Sequence, residues 1–270
     1  MEMIDALRAD AAKVLADGRA KVVIGYQARG DHRAPLFVTT ADRAASLVYD
    51  DACKQNLAVY LRKPEVKLLG KAAVVASPAA MRSLVLLMSE SQLTGDDALV
   101  LAVGVGEYHG VLELAQVAPL LKEKYAALAP SPELLREIEK LAAKTPEERA
   151  AFWAKQFAKC TRCYACRAAC PGCYCTRCIV EKNVPQWIST AAAGHGNYAW
   201  NVIRAFHLAG RCTGCGACEA ACPQGIPLML LNVLLGQEVE KEFETKAGYD
   251  PEAKPVIGSW NPEDEEDFIK

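Results

Sequence analysis

The sequence predicts an α/β domain over residues 1–129, a smaller α+β domain built on cysteines over 158–236, and an extended tail over 237–270. Three observations carry that prediction. In the first half, short valine-rich runs alternate with stretches of helical period, the pattern of strands covered by helices. Eleven of the twelve cysteines fall between Cys160 and Cys222. From Gln237 onward eleven acidic residues face four lysines, with Pro251, Pro255 and Pro262 among them, too polar and interrupted to build a core alone.

Taken in order, Ile4, Leu7, Ala11 and Leu15 repeat at helical spacing. Glu2, Asp5 and Asp10 stand where an export signal would carry a basic flank and an apolar block. KVVIG at 21–25, KAAVVAS at 71–77 and DALVLAVGV at 97–105 read as strands. Helices are expected over 42–49, 52–61, 79–90 and 111–121, so the sheet should be mostly parallel. Ser77 and Pro78 suit the cap and first turn of the third helix. VGVGEYHG at 103–110 could be a strand-to-helix turn, but it lacks the G-x-G-x-x-G pattern; a phosphate cradle and an ordinary loop both stay open. Pro130-Ser131-Pro132 breaks the alternation, and a helical bridge over 130–157 follows, its second helix opened by Thr145, Pro146, Glu147 and Glu148. For the tail, a solvated segment and an arm ordered on a partner subunit through Tyr249, Trp260 and Phe268 are the alternatives.

The totals narrow the function. Of 270 residues 51% are hydrophobic and 24% charged, and 31 Lys plus Arg against 33 Asp plus Glu leave a formal charge of -2. That balance supplies no surplus of cations for a nucleic-acid backbone. Pro78 and Arg82 interrupt one apolar stretch, and Glu107, His109 and Glu113 another, so no membrane span is expected. A cytoplasmic location follows, where thiols stay reduced and available to metal rather than paired in a disulfide framework.

Cys160, Cys163, Cys166, Cys170-Pro171 and Cys212, Cys215, Cys218, Cys222-Pro223 are two copies of C-x2-C-x2-C-x3-C-P, the bacterial ferredoxin signature. In this pattern three thiolates two residues apart wrap one iron–sulfur cube, while the fourth cysteine leads into a short helix and serves the other cube. The expected ligand sets are therefore Cys160, Cys163, Cys166 and Cys222 for one 4Fe-4S cluster, and Cys212, Cys215, Cys218 and Cys170 for the other. Gly214 and Gly216 clear side chains from the second loop, and Pro171 and Pro223 end each cysteine-bearing turn. Zinc also takes four cysteines, but normally as two pairs separated by a long loop.

The insertion 171–211 adds Cys173, Cys175 and Cys178 beside the first motif. Cys53 is the one cysteine left, and twelve divides into three sets of four. A third 4Fe-4S cluster on Cys53, Cys173, Cys175 and Cys178 is one reading. The other makes Cys53 a buried helix residue and leaves the trio as zinc ligands or spare thiols. Arg162, Arg167, Arg177 and Arg211 interleave the cysteines, either offsetting cluster charge or simply solvated. His195 and His207 have no metal-pair spacing.

These strips, with Pro185-Gln186-Trp187, Gly196-Asn197, Trp200, Arg204 through Arg211 and CTGCGACEAACPQGIPL, resemble the iron–sulfur part of the beta subunits of deazaflavin-reducing hydrogenases and formate dehydrogenases. Similar subunits accompany heterodisulfide-reductase-type electron-bifurcating complexes. VVIGY at 22–26, Asp51 through Leu61 and MRSLVLLMSESQL at 81–93 resemble the core of the same family. The resemblance implies a redox subunit whose α/β core can carry FAD and meet a flavin-containing or catalytic partner subunit. The chain departs from it at Ala76-Ser77-Pro78-Ala79, where the family has a lysine-glycine-cysteine-aspartate strip, so FAD is not the leading expectation. The leading expectation is a non-catalytic iron–sulfur electron-transfer subunit of a cytoplasmic anaerobic oxidoreductase complex. Its rivals are a flavoenzyme reducing a deazaflavin or nicotinamide, and a zinc-bearing scaffold.

Overall fold

The computed structural model describes residues 3–126 and 128–257. The first half opens with α1 (Met3–Ala16), which buries Leu7, Ala11 and Val14, and continues into strands β1 (Val22–Arg29) and β2 (His32–Val38). Single 3₁₀ turns at Ala41–Ser46 and Leu57–Tyr60 and the short α2 (Pro64–Lys67) lead to β3 (Ala72–Ala76), α3 (Pro78–Ser89), β4 (Ala98–Val103), β5 (Tyr108–Glu113) and α4 (Leu114–Lys124). One five-stranded sheet runs in the order β2-β1-β3-β4-β5. β1, β3 and β4 are parallel neighbours, with Ile24 opposite Val74 and Val74 opposite Val100. β3 and β4 are buried along their whole length, as central parallel strands require.

The sheet is mixed rather than mostly parallel, because β2 and β5 close its two edges antiparallel. Neither edge reads as a strand from sequence: β2 holds Pro35 and β5 holds Gly110 at a φ of 89°, and every residue of β5 is only half-buried. Such residues are tolerated at an edge, where a missing donor or side chain disrupts little. β5 also resolves VGVGEYHG: Gly104 N donates to Glu107 O at 2.8 Å in a hairpin, so no helix N-terminus faces that loop. The expected helix over 111–121 begins only at Leu114, where the Glu113 and Gln116 side chains form a capping box. Over 42–49 the backbone of Val48 is drawn out to bridge Tyr26, and over 52–61 Asn56 caps a turn that starts at Leu57, which leaves a single 3₁₀ turn in each stretch.

α5 (Pro132–Ala142) and α6 (Pro146–Ala158) start where the sequence indicates, on Ser131 and Thr145 caps. The cysteine-rich half then contains α7 (Ala165–Ala168), α8 (Gly194–His207), α9 (Ala217–Ala220) and α10 (Leu228–Phe243). No strand occurs among its described residues, which corrects the α+β expectation. The physical reason lies in the flanks: a capped, acid-led helix precedes Cys160, and the apolar run LMLLNVLL after Pro227 buries Leu228, Met229, Leu230 and Val233 as a helix. α7 and α9 also precede Cys170 and Cys222 instead of following them.

α10 carries the supposed tail on to Phe243, and Tyr249 packs within this chain. Its hydroxyl donates to Tyr125 O at 2.8 Å, and the Arg82 guanidinium lies 4.7 Å from its ring centre. Trp260 and Phe268 lie outside the described residues. No helix is long and apolar enough to cross a membrane among the described residues.

Candidate metal centre

Two stretches with the same left-handed turns at matching positions organise the cysteines. In the first loop Arg162 and Tyr164 both adopt φ of 58°, and in the second Gly214 and Gly216 adopt 70° and 73° at the matching positions. This left-handed turn aims backbone N–H groups back at the thiols. Arg162 N reaches Cys160 Sγ at 3.4 Å, and the amides of Gly214 and Ala217 face Cys212 and Cys215. Glycine takes that conformation freely, whereas a side chain costs about 1–2 kcal/mol there. The first loop offsets the cost with packing: Arg162 is buried, its Nη1 donates to Gly196 O at 2.5 Å, and its guanidinium lies 5.6 Å from the rings of both Tyr164 and Trp200.

The turns divide the cysteines into two fours. Cys160, Cys163, Cys166 and Cys222 line one small cavity with Trp200, Asn201 and Ile226. Cys170, Cys212, Cys215 and Cys218 line another with Ser83, Leu86, Thr213 and Asn232. In each, the last cysteine comes from the opposite motif, carried across by α7 and α9, which contact one another. Among the described residues no three His, Cys, Asp or Glu side chains are gathered tightly enough to hold a single ion.

Burial and crowding act together on these thiols. Burial first, and then Cys218, Cys160 and Cys222, push Cys166 up to about 11, against the pull of Arg204. Burial and then Cys170 push Cys212 up to about 12. Without a cation among them such groups stay protonated; iron supplies that cation, and the inward N–H donors suit sulfur that carries negative charge. Asn232 Nδ2 adds another donor, 3.6 Å from Cys218 Sγ. The donor set therefore fits an iron–sulfur cube in each cavity.

The insertion's trio, Cys173, Cys175 and Cys178, lines a third and wider cavity of about 330 Å³ with Arg167, Arg204, Arg211 and His207. A hydrogen bond from Cys170 holds Cys173 below the usual thiol range, which ties this cavity to the second one. Cys53 is placed elsewhere: it lines none of these three cavities, and its Sγ lies 3.9 Å from Asp50 Oδ1. Burial raises it to about 11.

The interleaved arginines divide. Arg177 is exposed, Arg167 pairs with Glu181, and Arg211 pairs with Glu90 while reaching Gly172 O at 3.2 Å. Sequence reasoning missed three polar residues that dock the second loop on the sheet domain. Asn56 Nδ2 donates to Ser83 Oγ at 2.8 Å, and Ser83 Oγ lies 2.8 Å from Thr213 Oγ1, beside Cys215. A buried-network role leaves no periodic or spacing signal, so these residues read as ordinary capping and helix-face residues.

Two mutually completed four-thiol cavities within one cysteine-rich stretch are the arrangement of a two-cluster iron–sulfur domain. Residues 159–227 match the family described as 4Fe-4S dicluster domain. More particularly, the chain is similar to beta subunits of deazaflavin-dependent formate dehydrogenases. It is 37% identical over 76 residues to the F420-dependent formate dehydrogenase subunit beta of Methanocaldococcus jannaschii, covering 28% of this chain and 20% of that protein. With the F420-dependent formate dehydrogenase 1 subunit beta of Methanococcus maripaludis it shares 32% identity over 106 residues, 39% of this chain and 27% of that one. The chain thus spans between a fifth and a third of the length of these curated relatives.

Proposed function

We propose that this chain is an electron-relay subunit of a cytoplasmic, multi-subunit anaerobic oxidoreductase of the formate dehydrogenase type, with a ferredoxin-like arrangement of two 4Fe-4S clusters. The single observation that carries the reading is the partition of eight cysteines into two cavities, four in each, with Cys170 and Cys222 exchanged. Cys160, Cys163, Cys166 and Cys222 hold one cluster, and Cys212, Cys215, Cys218 and Cys170 the other. Each cluster, when bound, accepts and releases one electron with little change of shape. The residues of this chain do the rest: the left-handed turns hold N–H donors on sulfur, Trp200 and Met229 help to line the cavities and keep water out, and Asn56, Ser83 and Thr213 fix the second loop to the sheet domain. The names of the relatives suggest a catalytic partner that oxidises formate and an F420-linked acceptor.

The trio Cys173, Cys175 and Cys178 offers three ligands for a third cluster. In this proposal Cys53 completes it only if it leaves its place beside Asp50. Anaerobic purification tests both parts. About eight irons per chain, a broad brown absorbance bleached by dithionite and an EPR signal on reduction support two clusters; about twelve irons support three. A colourless, zinc-loaded, EPR-silent protein overturns the relay reading. FAD at about one per chain, with reduction of an acceptor by the isolated chain, would make the chain a flavoenzyme instead.

A further inference from the structure

Among the residues that line the third cavity, four carry a side-chain atom able to bind iron: Cys173, Cys175 and Cys178 from the insertion, and His207 from the last turn of α8. The period of the helix brings the histidine there. Trp200, Arg204 and His207 stand at helical spacing on one face of α8, and all three line the cavity. Among the described residues nothing hydrogen-bonds to the His207 imidazole, while Arg211 Nη1 donates to its backbone oxygen at 2.9 Å. Cys53, by contrast, packs against the core of the sheet domain and lines none of the three cysteine cavities. Arg167 and Arg211, tied to Glu181 and Glu90, share the third cavity's wall with Arg204, so cations surround a place that thiolates would make negative.

We infer that His207 is the fourth ligand of a third 4Fe-4S cluster on Cys173, Cys175 and Cys178, and that Cys53 stays with the sheet domain. Each iron of a cube takes one protein ligand, and three thiolates with one imidazole supply the four. On binding, the thiols give up their protons, whereas the imidazole binds through a lone pair and stays neutral. The cube therefore carries one negative charge fewer than a four-thiolate cube, a change that favours reduction, as imidazole in place of thiolate does in other iron–sulfur centres. Zinc fits less well, because it needs its ligands around one point and no three of them are so gathered among the described residues. The site adjoins the second cluster's cavity, since Cys173 N donates to Cys170 O at 3.1 Å. Cys175 and His207 are exposed, so the same site meets the surface and gives an electron on the second cluster an outlet through the insertion.

This inference rests on the iron–sulfur reading of the chain, and iron counts separate the two. Full-length protein is purified anaerobically as wild type, C53A, H195Q and H207Q, labelled with 15N-histidine, assayed for iron and zinc, and reduced with dithionite for EPR. Wild type and C53A should each hold about twelve irons. A histidine nitrogen coupling should mark the third cluster's signal in wild type, C53A and H195Q and be missing from H207Q, whether that variant keeps the cluster or loses about four irons. About eight irons in the wild type, with or without zinc, overturn the inference and leave the two-cluster relay standing; a wild type without iron overturns the relay reading itself. A third cluster that shows no histidine coupling in the wild type, or keeps the coupling in H207Q, also overturns the inference. Should C53A fail to load, the coupling in the wild type and H195Q decides alone.

Discussion

The two cysteine loops share one backbone conformation and reach it by opposite means. The second uses Gly214 and Gly216, which take positive φ without strain, and borrows its rigidity from the sheet domain through Ser83 and Thr213. The first uses Arg162 and Tyr164, which do not, and is held by side chains of its own half: Gly196 O accepts from Arg162, and the Tyr164 and Trp200 rings meet edge to face at 4.8 Å between centres. The difference shows what the long insertion does. α8 is the brace that lets a loop without glycines keep the shape that glycine gives its twin.

Cys222→Ser should have the largest effect, because this cysteine belongs by sequence to the second motif and by position to the first loop's cavity. EPR of the reduced variant should show the cluster of Cys160, Cys163 and Cys166 altered or lost. Perturbation confined to the cluster of Cys212, Cys215 and Cys218 would break the exchanged pairing. Arg162→Ala comes next, since it leaves Gly196 O without its donor and keeps the unfavourable φ. A loss of about 1.5–3 kcal/mol is expected in anaerobic denaturant unfolding, the range for a hydrogen bond to a charged group. Arg162→Gly should be milder by about 1 kcal/mol, because it releases the backbone strain; equal losses would mean that packing alone decides.

Ser83→Ala should cost about 1–2 kcal/mol, since it leaves the buried Asn56 amide and the Thr213 hydroxyl without a shared partner. Its mark should fall on the EPR of the second loop's cluster and spare the first, and an equal change in both would erase the contrast between the loops. Gly216→Ala is the smallest change. An added Cβ meets nothing within 4 Å, so the loss is conformational alone, about 1 kcal/mol. A thermal shift much larger than that implies would show that the second loop is less self-sufficient than its geometry suggests.

Much of this was legible in the residues. The buried strands β1, β3 and β4 announce themselves because their valine runs are apolar on both faces, and α3, α5 and α6 because their caps and prolines are local signals. β2 and β5 stayed hidden because an edge strand is free to carry Pro35 or Gly110, and because Val48 takes its conformation from a bridge to a distant residue. At the site, spacing reveals which cysteines act together, since the ferredoxin pattern is itself a statement of geometry. It reveals nothing of Asn56 and Ser83, whose partners lie 27 and 130 residues further along the chain. Nor does it decide between the two readings of Cys53, as the trio's fourth ligand or as a buried residue.

The crossing of Cys170 and Cys222 bears on how such a protein could arise and be trimmed. A stretch ending after the first motif would lack the sulfur that arrives from the second, and a stretch beginning at the second would lack the one arriving from the first. Under the proposed pairing neither copy is a finished module, because each supplies only three of the four thiols that line its own cavity.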